Sequence, residues 1–249
     1  DGRVDLAVAN RLSQNVVVLL GTGNGTFPKP VTPNTTGPVP FAIVLVADRL
    51  SSLMVLLAAA LGAAALVFSM ARWQRAGPHF HSLVHFLLAG LNGAFLTGDL
   101  FNLFVFFELL LVASYGLALH GSGGPRVRAS LHYIVINLAA SLLFLVGVSL
   151  MYGVAGTLNM ADLALRLPRV PAADRALFEV GAAALGVAFL VKAGMWPLGF
   201  WLPSTYAAAS APAAALFSVL GKVGIYAVLR VWLVVFGGGA GAEFLVYGG

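Results

Sequence analysis

From residue 41 onward the chain is a succession of long apolar runs separated by short polar breaks. Leu50 to Ala71 carries no charge and is long enough for one helix across a bilayer core, which takes about 20 residues. Further runs cover Ser82 to Thr97, Leu100 to Leu119 (interrupted only by Glu108), and Ala129 to about Val154. A mixed-charge stretch at 155–175 leads to a fifth run, from Ala176 to a break around Pro197 to Pro203, and a sixth from Ala211 to Phe236. In lipid every backbone polar group must be satisfied within the segment, so runs of this length predict helices. The expected fold is an all-α membrane protein with about six transmembrane helices.

Residues 1–40 break the pattern. Val4 to Asn10 alternates polar and apolar positions, and Val16 to Leu20 is a short apolar run rich in valine. With the polar turn Arg11 to Asn15 between them and a glycine-rich run after them, they predict a short N-terminal β-hairpin over 1–27. The proline-rich residues 28–40 read as a linker. The transmembrane domain then occupies 41–249.

Composition agrees with the membrane reading. The chain is 60% apolar and 9% charged, whereas a soluble domain carries roughly 25% charged residues. So few charges do not cover the surface of a water-soluble domain of this size. The net charge of +5 is mostly arginine. Arg72 and Arg75 follow the first run, and Arg126 and Arg128 sit in a short loop after the third. The positive-inside rule places both loops in the cytoplasm and the N-terminal segment outside. No basic stripe with interleaved aromatics speaks for nucleic acid. The chain has no cysteine, which excludes disulfides and thiolate metal sites within it.

The few charges inside the runs carry the candidate chemistry. Glu108 lies eight residues into the third run, roughly 12 Å deep at 1.5 Å per residue. A charge at the bilayer centre costs at least ~2.5–3.5 kcal/mol, so such residues pair, titrate or face a hydrated cavity. Lys192, deep in the fifth run, is the natural opposite charge. Attraction keeps the pair ionised while desolvation drives both groups toward neutral forms, which is the balance a proton relay needs. Pro197 is unable to donate to the carbonyl four residues back, and with Gly194, Gly199 and Pro203 it predicts a broken helix beside Lys192. Lys222 stands mid-span in the sixth run with no acid in its own helix, which suits reversible protonation. Arg230, near the end of that run, is expected to snorkel and to gate or anchor. His132, at the cytoplasmic start of the fourth run, is an accessory candidate for feeding protons inward. Asp99 reads as a helix cap.

Other patterns carry less. His79, His81 and His85 cluster without the carboxylate or cysteine partners of a metal site. The run Gly21-Thr-Gly-Asn-Gly25 is not a dinucleotide fingerprint, and Gly221-Lys222 lacks the upstream glycine of a phosphate loop. No cofactor and no bound metal are expected.

Five segments carry a family resemblance: VLVADRLSSLMVLL, GLNGAFLTGDLFNLFVFFELLLVASYGL, RASLHYIVINLAASLLFL, AFLVKAGMWPLGFWLPSTYAAASAP and LGKVGIYAVLR. Together they resemble the D-type subunit of the Mrp (also Mnh or Pha) monovalent cation/proton antiporters over about 41–236. That family is similar to the proton-pumping membrane subunits of NADH:quinone oxidoreductase. The resemblance implies a helix-borne glutamate facing a lysine on a broken helix, at the positions of Glu108 and Lys192, with Lys222 as the next relay lysine. It also implies a partial inverted-repeat bundle, covering the third to eighth helices of a longer protein. Residues 1–27 resemble one FG-GAP (VCBS-type) repeat, of whose calcium loop only Asp1 and Asp5 remain; a fusion or an assembly artefact is the expected origin.

These expectations converge on a proton-conducting fragment of a multi-subunit sodium or potassium/proton antiporter in the bacterial plasma membrane. Its partners would be the other subunits, the transported ions and lipid, and it would not be an enzyme. The alternative is a redox-linked proton-pumping subunit like those of NADH:quinone oxidoreductase. A calcium-dependent surface module on a membrane anchor, and a fragment without activity of its own, complete the range.

Overall fold

The computed structural model describes residues 6–10, 15–19, 44–71, 79–121 and 123–237. Two five-residue strands, β1 (Leu6–Asn10) and β2 (Asn15–Leu19), pair antiparallel with Leu6 opposite Leu19 and Asn10 opposite Asn15. The residues between them, the glycine-rich run, Asp1, Asp5 and the linker 28–40 lie outside the described residues. The expected hairpin domain over 1–27 and its FG-GAP assignment are not supported: of that stretch only this strand pair falls among the described residues.

The remainder is helical: α1 (Arg49–Ser69), α2 (Phe80–Leu96), α3 (Leu100–Leu119), α4 (Gly124–Ala155), α5 (Met160–Arg166), α6 (Ala172–Ala193), α7 (Leu202–Ala208) and α8 (Ala211–Val235). Among the described residues five helices are long and apolar enough to cross a membrane, namely α1, α3, α4, α6 and α8. The one expected span not among them, α2, has 17 residues, roughly 25 Å of rise against a hydrocarbon core of about 30 Å. It stops at Thr97 because the chain there turns extended and pairs with Leu45.

Caps set the helix starts. The Asp48 carboxylate accepts from the Ser51 N–H and the Ser51 hydroxyl accepts from the Asp48 N–H, each at 2.8 Å, a reciprocal box that opens α1. Asp99 caps α3 through the N–H groups of Phe101 and Asn102, at 2.8 and 3.0 Å, as its position suggested. The helix α4 begins five residues before the expected start, so Arg126 and Arg128 lie on its first turns and not in a loop. Arg126 there donates to the carbonyls of His120 and Ala208, both at 2.8 Å, closing the ends of α3 and α7. Arg72 and Arg75 lie outside the described residues.

At the opposite end three extended segments knit the helix ends together. Val46 N–H donates to Leu96 O (2.6 Å) and Gly98 N–H to Val44 O (2.8 Å). Leu100 N–H donates to Leu158 O and Met160 N–H to Gly98 O, both at 2.9 Å. The mixed stretch after α4 also holds α5, with an Asp162–Arg166 ion pair at 3.0 Å on successive turns.

Helices α4 and α6 meet through facing glycines. A Cβ on Gly147 would stand 2.8 Å from Gly181 O, and one on Gly181 would stand 3.0 Å from Gly147 O. Small residues at such crossings let backbones meet where lipid supplies no hydrophobic drive. The core itself is aliphatic and aromatic, with Phe95, Phe107, Phe144, Phe178, Phe189 and Phe217 fully buried.

Candidate functional site

Three neighbouring helices bring one polar side chain each to the middle of the bundle. Glu108 comes from α3, Ser141 from the middle of α4, and Lys192 from the last turn of α6. Lys192 Nζ stands 3.8 Å from Glu108 Oε1. The Ser141 hydroxyl lies between them: Lys192 Nζ donates to Ser141 Oγ at 2.8 Å, and Ser141 Oγ donates to Glu108 Oε1. Lys192 is 4% exposed, while the Glu108 side chain keeps 32% of its surface.

The surroundings explain how a buried lysine is tolerated. Phe107, beside it, packs with Phe144 and Phe189, the ring centroids 5.2 to 6.1 Å apart. The Phe107 ring lies 5.2 Å from Nζ, within reach of a cation–π contact. Lys192 also sits in the final turn of α6, where the negative end of the helix dipole favours a cation. At 3.8 Å the attraction between the two charges is on the order of 4 kcal/mol at an effective dielectric of about 20. Burying the lysine costs several kcal/mol, which offsets most of that attraction, so the pair gains little net stability.

The helix break after this turn differs from the expected one. Helix α6 ends at Ala193, before Pro197, because Gly194 adopts φ 68. Gly194 N–H donates to Val191 O at 3.0 Å and Met195 N–H to Leu190 O at 3.1 Å, a left-handed glycine closure. Pro197 is exposed in the following turn, where it keeps the helix from resuming. The Trp201 indole N–H then folds back to Val191 O at 3.2 Å, a second donor to the carbonyl that Gly194 already engages.

The other expected residues do not join the pair. Lys222 is exposed on the outer side of α8, and among the described residues no hydrogen bond or ion pair reaches it. The helix packs inward through Leu216, Val219, Leu220, Val223 and Ala227, which puts Lys222 on the stripe with Ser218 and Leu229. The backbone of α8 nonetheless abuts the end of α6: a Cβ on Gly224 would stand 2.6 Å from Ala193 N. His132 is exposed two turns into α4, with Nδ1 2.9 Å from Arg128 O. It lines an open groove of about 760 Å³ with Arg128, Trp201 and Ser204.

Arg230 does not snorkel. It is 8% exposed, pairs with the Asp48 carboxylate, and lies 5.8 Å from the Tyr226 ring centre. The free end of the guanidinium, Nη2, is buried without a partner. Burial pushes the Asp48 carboxyl up, but the Ser51 N–H, the Arg230 guanidinium and the Ser51 hydroxyl together hold it below the usual carboxylate value. Sequence reasoning missed Ser141 and the partnership of Asp48. Ser141 gave no signal, since a serine costs little in an apolar helix; Asp48 was legible only as the cap that its spacing to Ser51 forms.

The family model described as "NADH:quinone oxidoreductase/Mrp antiporter, TM" matches residues 97–247. A Rhizobium meliloti protein, named as the probable D-type subunit of a K(+)/H(+) antiporter, is 61% identical, the alignment covering 96% of this chain and 46% of the relative. The D-type subunit of the Na(+)/H(+) antiporter of Alkalihalophilus pseudofirmus is 44% identical over 94% of this chain and 45% of its own length. The chain thus spans about half the length of the curated relatives it matches. Among solved structures, a chain of the Mrp complex from Dietzia sp. DQ12-45-1b superposes with a TM-score of 0.73 at 38% identity, covering 81% of this chain and 38% of that one.

Proposed function

The chain belongs to the NADH:quinone oxidoreductase/Mrp antiporter transmembrane family, and on that premise we propose that it forms the proton-conducting half of a subunit that exchanges sodium or potassium for protons. The observation that carries this reading is the Glu108–Ser141–Lys192 triad at mid-bundle. The triad sets two ionisable groups on one continuous hydrogen-bonded path inside the bundle, which is what a proton relay requires.

Lys222 continues the path in this reading. It lies mid-span and faces outward, where a charge left in acyl chains would cost several kcal/mol. A polar surface supplied by the rest of a longer subunit offsets that cost and receives the proton. His132 stands in the groove at the arginine-rich end as an accessory entry residue. Pro197 keeps the α6 turn open, and Arg230 anchors the far end of α8. The remaining subunits of a hetero-oligomeric antiporter are the expected partners. The setting is a bacterial plasma membrane, with the Arg126 and Arg128 end in the cytoplasm and the N-terminal segment outside.

The deciding experiment reconstitutes the full-length subunit within its assembled complex and follows cation/proton exchange in vesicles. Replacing Glu108 by Gln should abolish exchange while leaving insertion intact; unchanged exchange refutes the role. A redox-linked pump is the second reading, favoured by a family description that joins both kinds of protein. Exchange driven by an ion gradient alone, with no electron donor, decides against it.

A further inference from the structure

Several serines in the apolar helices of this chain bond within their own helix. Ser69, Ser114 and Ser218 each donate to the carbonyl three residues back, at 2.7 Å. That local bond is the ordinary resting place of a serine hydroxyl in a helix. Ser141 instead donates across the bundle to Glu108 and accepts from Lys192. It is buried, as are Tyr133 and Asn137, the polar residues one and two turns before it on the same face of α4. Those two satisfy themselves elsewhere: Asn137 Nδ2 donates to Tyr133 O at 3.0 Å, and the Tyr133 hydroxyl pairs with Ser114 Oγ at 2.7 Å. Only Ser141 of this face is committed to the two ionisable side chains.

The separation of those side chains gives the hydroxyl its use. At 3.8 Å, Nζ and Oε1 are too far apart for a direct hydrogen bond. Each is instead bonded to Oγ. We propose that the Ser141 hydroxyl both positions the pair and conducts the proton between its members. A Lys192 N–H bond breaks as a new Oγ–H bond forms, and the original Oγ–H bond breaks as Glu108 Oε1 gains its proton. The amine and the acid are left neutral and the hydroxyl is restored; the reverse transfer recharges both. The pair has zero net charge before and after, so no net charge is created among Phe107, Phe144 and Phe189. This assignment rests on the proton-conducting reading above and names the atom through which it operates.

The test uses the full-length subunit in its assembled complex, comparing Ser141→Ala and Ser141→Thr with the Glu108→Gln variant. Two quantities are read: exchange in vesicles, and the infrared carbonyl band of protonated Glu108, identified by its absence in Glu108→Gln. Ser141→Ala should slow exchange by at least about tenfold, the scale of one hydrogen bond to a charged group. It should also move the carbonyl band to higher frequency, because the acid loses its partner. Ser141→Thr, which keeps a hydroxyl on the same carbon, should restore both. Unchanged exchange in Ser141→Ala overturns the assignment. So does lost exchange with an unmoved band, or lost exchange that threonine fails to recover, since packing alone would account for either. Exchange that survives in Glu108→Gln is a failure of the proton-conducting reading itself and is distinguishable from these.

Discussion

The Arg230 guanidinium, buried near the end of α8, is paired with the Asp48 carboxylate that opens α1. One side chain therefore holds a helix start and neutralises a buried cation contributed by a distant part of the chain. Replacing Asp48 by Ala should cost about 1 kcal/mol for the lost cap and up to ~3 kcal/mol more for the stranded guanidinium. Asp48→Asn keeps a capping oxygen and loses the charge, so it should fall between. Thermal unfolding in detergent gives the order.

The same carboxyl fixes a pH dependence. It titrates below the usual carboxylate value when folded, because the hydrogen bonds and the guanidinium outweigh the opposing effect of burial. Its stabilisation is complete above the unfolded value of about 4 and is lost as pH falls through the folded value. A plot of thermal midpoint against pH should therefore drop more steeply in the native chain than in Asp48→Asn across that acid window. Parallel curves would count against the pairing.

For the central pair, single and double variants should differ in kind. Lys192→Met leaves Glu108 beside an apolar neighbour, so it should destabilise the fold more than the double variant Glu108→Gln/Lys192→Met does. Losing one member of a buried pair costs about 3–5 kcal/mol, while replacing both is nearly neutral. Exchange should be absent from both. Stability from unfolding and exchange in vesicles, measured on the same preparations, separate the two roles.

Two helical glycines should respond in opposite ways. A Cβ at Gly224 meets the Ala193 backbone at 2.6 Å, whereas one at Gly153 meets nothing within 4 Å. Gly224→Ala should cost about 1–3 kcal/mol by forcing α8 away from the end of α6. Gly153→Ala should be neutral or stabilising by up to about 1 kcal/mol, from helix propensity alone. Thermal midpoints of the two variants test the α6–α8 contact beside Lys192.

Much of this architecture was legible because lipid makes charge conspicuous. Glu108 and Lys192 stood out as lone ionisable residues in apolar runs, and the structure joins them. Depth along a helix is readable from such runs, but direction around the axis is not, which is why Lys222 proved to be exposed. Arg230 was misjudged for the same reason: nearness to a helix end says nothing of which neighbour it faces. Pro197 drew attention to the break in α6, yet Gly194 makes it, since a left-handed closure ends a helix before a proline has to. Ser141 left no trace, because a hydroxyl able to bond within its own helix disturbs neither hydropathy nor charge.

The knitted segments around Val46, Gly98 and Met160 fasten the start of α1, the α2–α3 junction and the α4–α5 junction to one another by backbone hydrogen bonds. Backbone bonds of this kind fix distances and leave little room for sliding. Any rocking of these helices must therefore pivot about that rim, with its amplitude growing toward the opposite mouth. There, α6 is interrupted between Gly194 and Trp201, so no continuous rod bridges that mouth from α6.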